Sequence, residues 1–223
     1  MKKLSVFTLA LLLLVSFAVL PVFAAKGKSV KKTSSKEIVL NAPDLTKGKT
    51  VLQAMKDRHS SRDFADKALD AQTLSELLWA AGGITREDGR RTFPTAMNCQ
   101  EIDIYAFMKD GVYLYVPQDN KLVLIIGGDK RAAAGKQEYA ASAAVNLVYV
   151  SDMEKMRGSD ENQKLLMTAV DLGHISENVY LYCSSEDLAC VVRAFVDESE
   201  ISKLLNLKST QRVILSQSVG YKK

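Results

Sequence analysis

The sequence has little cysteine and almost no histidine, with three cysteines and two histidines in 223 residues. Three cysteines are too few for a disulfide scaffold, and no Cys or His spacing suits a zinc site, so we expect no metal centre. In an oxidising compartment Cys183 and Cys190 could pair and leave Cys99 alone; two buried free thiols are at least as good an interpretation. Counting labelled thiols after alkylation of the unreduced protein separates the two, because three labels exclude the bridge.

Two catalytic signatures are also missing. The sequence contains no Gly-x-Ser-x-Gly nucleophile elbow and no Gly-x-Gly-x-x-Gly dinucleotide fingerprint. No internal repeat is present. These absences leave hydrolase triads and nucleotide-binding βαβ folds without support.

Acidic residues are absent from the first 36 positions, which carry seven lysines. Removing those seven from the net charge of +4 leaves −3 for residues 37–223. The folded part is therefore mildly acidic, which argues against a nucleic-acid partner. Residues 25–48 are interpreted as a Lys/Ser-rich tether and an extended entry segment that precede a domain at 49–223.

The first 24 residues have the pattern of a secretory signal peptide. Lys2-Lys3 precede an apolar run from Leu9 to Leu20, and Val22-Phe23-Ala24 supplies small residues for cleavage. The alternative is a transmembrane anchor, but the run is short for a span of about 20 residues. We therefore expect an exported protein, periplasmic or secreted, with no stable membrane anchor after cleavage.

Apolar periodicity predicts an α+β fold with a central, mainly antiparallel sheet flanked by helices. Gly127-Gly128 should turn the chain, and Asp129 should cap a helix that reaches about Ala141. Helices are expected at 50–58, 70–82, 160–184 and 197–205, and strands at 102–107, 112–116, 145–150, 190–195 and 212–219, with 121–126 ambiguous.

The stretch Arg58-His59-Ser60-Ser61-Arg62 packs two guanidiniums, an imidazole and two hydroxyls into five residues. Arginine binds phosphate in a bidentate manner and hydroxyls add neutral donors, so the stretch could grip a phosphate monoester. The plainer alternative is a helix C-terminus at which cations answer the helix dipole. Composition alone favours the plainer alternative.

The stretch Pro94-Thr95-Ala96-Met97-Asn98-Cys99-Gln100 lies in a long segment without periodicity. Thr95, Asn98 and Gln100 offer donors and acceptors that could line the edge of a flat ring, and Pro94 stiffens the approach. An ordinary loop before a strand is the alternative, and taken alone it is the better one.

Together, the two stretches resemble the nitroreductase superfamily of flavin enzymes. Members carry an Arg-[Arg/His]-Ser-x-[Arg/Lys] motif after the first helix and a Pro-Ser/Thr-x-x-Asn-x-Gln loop about forty residues on. Further segments, including Leu77–Ile84, Asp88–Thr92 and Asp171–His174, resemble the branch of SagB-type dehydrogenases. The resemblance runs from about residue 49 to Tyr221.

The resemblance implies a dimer, joined through the long helices, with two FMN molecules at its interface. Arg58, His59, Ser60 and Arg62 would hold the phosphate and ribityl chain. Pro94, Thr95, Asn98 and Gln100 would line the ring, and Arg193 and Ala194 would approach it through backbone groups. Whether Lys222 and Lys223 contact the cofactor stays open.

The implied activity is ping-pong hydride transfer through FMN between a small-molecule donor and a small organic or quinone-like acceptor, with no catalytic side chain required. Two alternatives remain: a non-catalytic FMN-binding module, and a flavin-consuming enzyme of the same superfamily. Export removes the usual reduced-nicotinamide donor, and the sequence names no replacement.

Overall fold

The computed structural model describes residues 36–223. The predicted signal peptide and the first part of the predicted tether lie outside these residues. Within residues 36–223, no helix combines the length and the apolarity needed to cross a bilayer. The described part is an α+β fold, as predicted.

Seven strands form one sheet in which every neighbouring pair is antiparallel. The order across the sheet is β1-β4-β3-β2-β5-β7-β6. The strands are β1 (Glu37–Val39), β2 (Ile102–Met108), β3 (Gly111–Val116), β4 (Lys121–Gly127), β5 (Val145–Asp152), β6 (Leu188–Arg193) and β7 (Gln211–Tyr221).

Strand β5 lies in the interior of the sheet, where it pairs with β2 on one side and β7 on the other. Its run from Val145 to Ser151 is buried throughout, as expected for a continuous apolar strand covered on both faces. The predicted β2–β3 hairpin is confirmed, with Phe107 opposite Val112 and a turn at Lys109-Asp110. The ambiguous segment 121–126 is a strand.

Helices cover the sheet: α1 (Val51–Asp57), α2 (Ala71–Gly82), α3 (Tyr139–Ser142), α4 (Glu161–Ser185) and α5 (Glu198–Leu205). Short polar side chains cap the N-termini of two of the predicted helices. Asp160 accepts from the N–H groups of Asn162 and Gln163, and Asp197 accepts from that of Glu200.

The 25-residue helix α4 supplies one face of the core. Leu172, Ile175, Val179 and Cys183 recur at helical spacing and are fully or almost fully buried. They pack in one cluster with Leu77 and Leu78 of α2 and with residues of the sheet. This face fixes α4 in place, so the polar side chains on its flanks hold defined positions.

The helix predicted from an Asp129 cap to about Ala141 is wrong. The segment contains a 3₁₀ turn at Arg131–Ala134 and the four-residue α3 instead. The Asp129 carboxylate binds the Arg131 guanidinium, with 2.7 Å between Oδ2 and Nη2. The chain then passes so close to Arg193 that a Cβ at Gly135 would lie 2.2 Å from its Nε. Tertiary contacts therefore override the local helical pattern.

The entry segment is part of the fold. The short strand β1 pairs with β4, and Leu40 beside it is buried in the core. Asn41 N–H donates to Ser75 Oγ at 2.9 Å, which ties the segment to α2. The folded part therefore extends back to the start of the described residues.

Asp70 generates a first prediction. Its carboxylate caps α2 through Thr73 N–H at 2.8 Å and accepts from Tyr221 Oη–H at 2.8 Å. These bonds, the Thr73 amide first, lower the pKa of Asp70 to about 2. Asp70→Ala should lower the free energy of unfolding by about 2 kcal/mol, the sum of a lost cap and a lost charge-assisted hydrogen bond. Urea unfolding midpoints provide the measurement.

Asp70→Asn is the matched control, because it keeps the capping oxygen and loses the charge. A lowered pKa in the folded state gives stability that is present above the unfolded pKa and disappears as pH falls toward the folded one. The advantage of wild type over Asp70→Asn should therefore shrink between about pH 4 and about pH 2. An advantage that stays constant over this range contradicts the assignment.

Candidate functional site

The Arg58–Arg62 cluster begins where α1 ends. Arg58 is the C-cap residue, and its N–H still donates to the carbonyl of Ala54. The chain then turns to run beside the edge strand β6, where Ser61 N–H donates to Cys190 O at 2.9 Å. The cluster is therefore pinned to the sheet by its own backbone.

The side chain of Tyr180, on α4, holds the cluster together. Its hydroxyl lies 2.8 Å from Ser60 Oγ and accepts from Val192 N–H at 3.0 Å. The Arg58 guanidinium carbon lies 5.3 Å from the centre of its ring, within the range of a cation–π contact. One tyrosine thus joins α1, α4 and β6 at the point where the predicted anion-binding residues emerge.

The two guanidiniums of the cluster are free to bind an anion. Within residues 36–223, neither Arg58 nor Arg62 has a carboxylate at salt-bridge distance. Arg62 and Ser60 are exposed, and Arg58 is half-buried. Two unpaired guanidiniums beside two hydroxyls make a donor set that fits a phosphate monoester.

His59 faces a different environment. Its Nδ1 lies 2.8 Å from the carbonyl oxygen of Asp57, and its ring lines a cleft of about 300 Å³. Two lysines in this cleft are neutralised: Lys49 pairs with Asp57 at 3.0 Å, and Lys222 pairs with Asp187. Lys222 is thus committed to an ion pair inside the protomer.

The Pro94–Gln100 loop has an unusual backbone. Three of its residues have φ angles in the left-handed region, which residues other than glycine rarely adopt: Met97 (51°), Asn98 (55°) and Gln100 (48°). Gln100 holds this shape: its N–H donates to Thr95 Oγ1 at 3.1 Å and its Nε2 to Asn98 Oδ1 at 3.2 Å. Pro94, Met97 and Asn98 are exposed. Such strained, exposed loops are typical of binding sites.

The loop rests on a buried acidic pair. Ala96 N–H donates to the carboxylate of Asp171, on α4, at 2.8 Å. Glu101, the next residue after the loop, is fully buried. Burial, together with the neighbouring Asp171, raises the pKa of Glu101 to about 7.

The two motifs meet α4 at different places. The cluster is anchored at Tyr180 and the loop at Asp171, nine residues apart, which is about 13 Å along a helix and about half a turn around it. The structure therefore brings the cluster together with β6, and it places the loop on the opposite flank of α4. A larger cleft, of about 430 Å³, lies between Leu69 and Met108, away from both motifs.

Arg193 and Ala194 follow the cluster along β6, but the side chain of Arg193 points inward. Its Nη2 donates to Asn146 Oδ1 at 2.8 Å, Ala134 O at 3.0 Å and Ser216 Oγ at 3.1 Å. Any contact it makes with a ligand must therefore use its backbone. Ala194 is exposed. Since Val192 N–H points away from β7, alternation along the strand directs Ala194 N–H to the same outer edge.

The sequence interpretation missed the role of Tyr180. It lies one position after Val179 in the apolar pattern of α4, so nothing local distinguishes it from a core aromatic. Asp171 lies in a segment that resembles the family, but no local pattern predicts its bond to Ala96. Within the described residues no group of three or more His, Cys, Asp or Glu side chains could hold a metal ion. Cys183 and Cys190 are free and buried.

The seven-stranded antiparallel sheet and its long covering helix form an α+β fold that is shared with solved nitroreductase structures. The profile of the Nitroreductase family matches residues 55–221. The chain belongs to the nitroreductase family.

Two similar proteins are both named "putative nitroreductase". The one from Methanocaldococcus jannaschii is 32% identical over 176 residues, which covers 74% of this chain and 87% of the relative. The other, a crystal structure from Ralstonia eutropha, is 33% identical with a TM-score of 0.80, covering 86% of this chain and 91% of its own. The Vibrio harveyi NADPH:FMN oxidoreductase complexed with NAD⁺ shares the fold, with a TM-score of 0.59 at 18% identity, over 78% of this chain and 70% of its own.

Arg193 generates the prediction of this section. Arg193→Met removes a buried cation and takes the donor from acceptors such as Ala134 O and Ser216 Oγ. We expect the free energy of unfolding to fall by about 3–5 kcal/mol. Arg62→Met is the matched control; because Arg62 is exposed, its effect should stay within about 0.5 kcal/mol. Equal urea midpoints for the two variants would show that Arg193 is not a structural residue.

Proposed function

We propose that the chain is an exported FMN-dependent oxidoreductase that transfers hydride in a ping-pong sequence to a small organic or quinone-like acceptor. The observation that supports FMN most directly is the pair of guanidiniums, Arg58 and Arg62, that lack carboxylate partners in the described chain. They stand beside Ser60, which Tyr180 fixes at 2.8 Å. Family membership supports the redox activity.

Each part of FMN has a matching set of groups. Arg58, Ser60 and Arg62 would bind the phosphate and the ribityl hydroxyls, with His59 at the margin of the cluster. The backbone N–H of Ala194, at the outer edge just after β6, would meet the ring, and Arg193 would position this segment through its buried side chain. The exposed side of the Pro94–Gln100 loop would cover the ring edge, with Pro94, Thr95, Asn98 and Gln100 as its contacts.

The site is complete only in a homodimer. In one chain the cluster and the loop occupy opposite flanks of α4, as described above. A second protomer that packs its own α4 against the outward face of this α4 would bring its loop toward the cluster of the first. Gly173 lies on that outward face, and a Cβ there would meet nothing within 4 Å, so a second helix could approach closely.

Exposed apolar side chains support the same interface. On α4, Leu166 is 58% and Val170 47% exposed, and both lie on the outward face with Gly173. The apolar face of α1 is also uncovered: Val51, Leu52 and Met55 are 64%, 79% and 53% exposed. Packing α4 against a second copy would remove such surface from water, which stabilises an obligate dimer.

Bound FMN would supply the redox chemistry, accepting a hydride from one small molecule and passing it to a second. The protein would orient the ring and shield it, with no side chain as proton donor. For an exported enzyme the donor must come from outside the nicotinamide pool of the cytosol. A membrane quinol, a partner flavoprotein and a small reductant are the classes to screen against the flavin absorbance.

Two other functions make different predictions. A non-catalytic binding module would hold FMN that no donor–acceptor pair reduces and reoxidises. A flavin-consuming enzyme would lose the mass of intact FMN under oxygen. Stopped-flow absorbance and mass spectrometry on the same sample separate these functions from the proposed one.

The purified protein should be yellow, and Arg58→Ala should weaken FMN binding. Loss of one charge-assisted contact to phosphate costs about 1.5–3 kcal/mol, so Kd should rise about 10- to 100-fold. Quenching of FMN fluorescence on titration into the apoprotein gives Kd. Arg157→Ala, at an exposed arginine far along the chain, should leave Kd unchanged. A colourless wild-type protein that binds no FMN, or an unchanged Kd in Arg58→Ala, refutes the assignment.

Val170→Asp should dissociate the dimer, because a charge would have to be buried against the second α4. Sedimentation velocity should show a monomer. FMN affinity should fall when the dimer is lost, because each site would lose the loop of the other protomer. Leu45→Asp is the control: Leu45 is 74% exposed, and it lies outside α1 and α4. A Val170→Asp protein that remains dimeric rules out this interface.

A further inference from the structure

Glu101 is the one fully buried carboxyl group among the described residues whose two oxygens both lack a hydrogen-bond partner. An ionised carboxylate in that position would be strongly unfavourable, because its charge would be neither solvated nor paired. The neighbouring acid, Asp171, is also buried and already accepts the Ala96 N–H at 2.8 Å. Two buried carboxylates side by side cannot both remain ionised.

We propose that Glu101 and Asp171 share one proton, and that this proton holds the Pro94–Gln100 loop in its strained conformation. Glu101, as the acid, donates its O–H to the Asp171 carboxylate. Asp171, as the ionised partner, accepts from both Glu101 and Ala96 N–H. This assignment gives the buried Glu101 carboxyl the partner it otherwise lacks.

The position of the pair explains why it would control the loop. Asp171 binds Ala96 near the start of the loop, and Glu101 directly follows its end. Met97, Asn98 and Gln100 between these points all have left-handed φ angles, a conformation that persists only where the surroundings enforce it. The shared proton therefore joins both ends of the loop to α4.

The other charged groups near the pair do not replace the proton. Arg91, from the segment before the loop, is a nearby cation that favours ionised Glu101. Its Nη1 donates to Ile102 O at 3.1 Å and its buried Nε has no partner, so Arg91 makes no hydrogen bond to the Glu101 carboxyl group. Asp103, on β2, pairs with Lys155 at 3.5 Å. His174, one turn along α4 from Asp171, is exposed. At the end of β5, Asp152 N–H donates to the backbone O of Glu101 at 2.9 Å, and Ser151 and Thr168 contribute neutral hydroxyls that lie 3.3 Å apart.

Deprotonation of Glu101 should destabilise the loop conformation. A raised pKa in the folded state means that the stabilisation is present in acid and is lost as pH rises through the folded value, here about 7. Above that value the two carboxylates repel, and the bond from Asp171 to Ala96 weakens. Glu101 is thus a positioning residue that acts on the loop through Asp171, whether or not a cofactor is bound.

Hydrogen exchange of the Ala96 amide in the full, FMN-free chain tests the proposal. After correction for intrinsic exchange, protection of Ala96 should fall about tenfold per pH unit above about pH 7 in wild type, as expected for opening coupled to one proton. Glu101→Gln keeps a donor toward Asp171 and cannot ionise, so protection should persist at high pH. The same fall in wild type and Glu101→Gln, or loss of protection in Glu101→Gln at every pH, overturns the proposal.

Infrared spectroscopy supplies a second measurement that does not depend on the variant folding. Wild type at about pH 6 should show the carbonyl band of a buried protonated carboxyl group, and the band should disappear by about pH 8. Absence of the band at the lower pH overturns the proposal. Both measurements use FMN-free protein, so a failure of FMN binding leaves them unaffected. If FMN does bind, its Kd should rise with pH in wild type and stay level in Glu101→Gln.

Discussion

The fold depends on the packing of α4 against the sheet and α2. Its apolar face carries the core, and that fixes the rotation of the helix about its axis. Once the rotation is fixed, Tyr180 and Asp171 must project from opposite flanks of α4. Tyr180 then contacts the Arg58–Arg62 cluster, and Asp171 contacts the Pro94–Gln100 loop. The candidate site is therefore not a property of either motif alone. It follows from a helix that is rigid over 25 residues and polar at two points along its sides.

Local patterns were sufficient to predict elements in which the hydrophobic period and the caps agree. Asp70 and Gly83 bound α2 because a carboxylate can cap an N-terminus and glycine can end a helix. The hairpin around Asp110 and the buried strand β5 follow from equally local signals. The Asp129 helix failed because Arg131 takes the capping carboxylate, and because Gly135 is needed for close approach to Arg193. The first contact is a local side-chain bond and the second joins distant segments, and hydrophobic periodicity predicts neither.

The sequence identifies the two motifs of the candidate site but not the residues that connect them to the fold. The residue types of the Arg58–Arg62 cluster indicate a possible anion site. The order and spacing of the cluster and the Pro94–Gln100 loop indicate the family. Tyr180 could not be found this way, because its function is to join three elements through one hydroxyl. The sequence pattern does not distinguish Glu101 from an ordinary surface glutamate either. A glutamate before a strand is ordinary, and only its complete burial beside Asp171 makes it chemically unusual. Arg193 and Glu101 contrast clearly: the first is a buried charge surrounded by acceptors, and the second is a buried acid without a donor.

The Arg58–Arg62 cluster also lies along the open side of β6, the last strand of the sheet. Ser61 bonds the backbone of Cys190, and Tyr180 takes the N–H of Val192, so part of the exposed hydrogen-bonding edge is covered. The opposite edge strand, β1, is only three residues long. Uncovered strand edges recruit other chains and lead to aggregation. The segment that carries the candidate site therefore also covers part of a strand edge, so substitutions there would favour edge-to-edge aggregation.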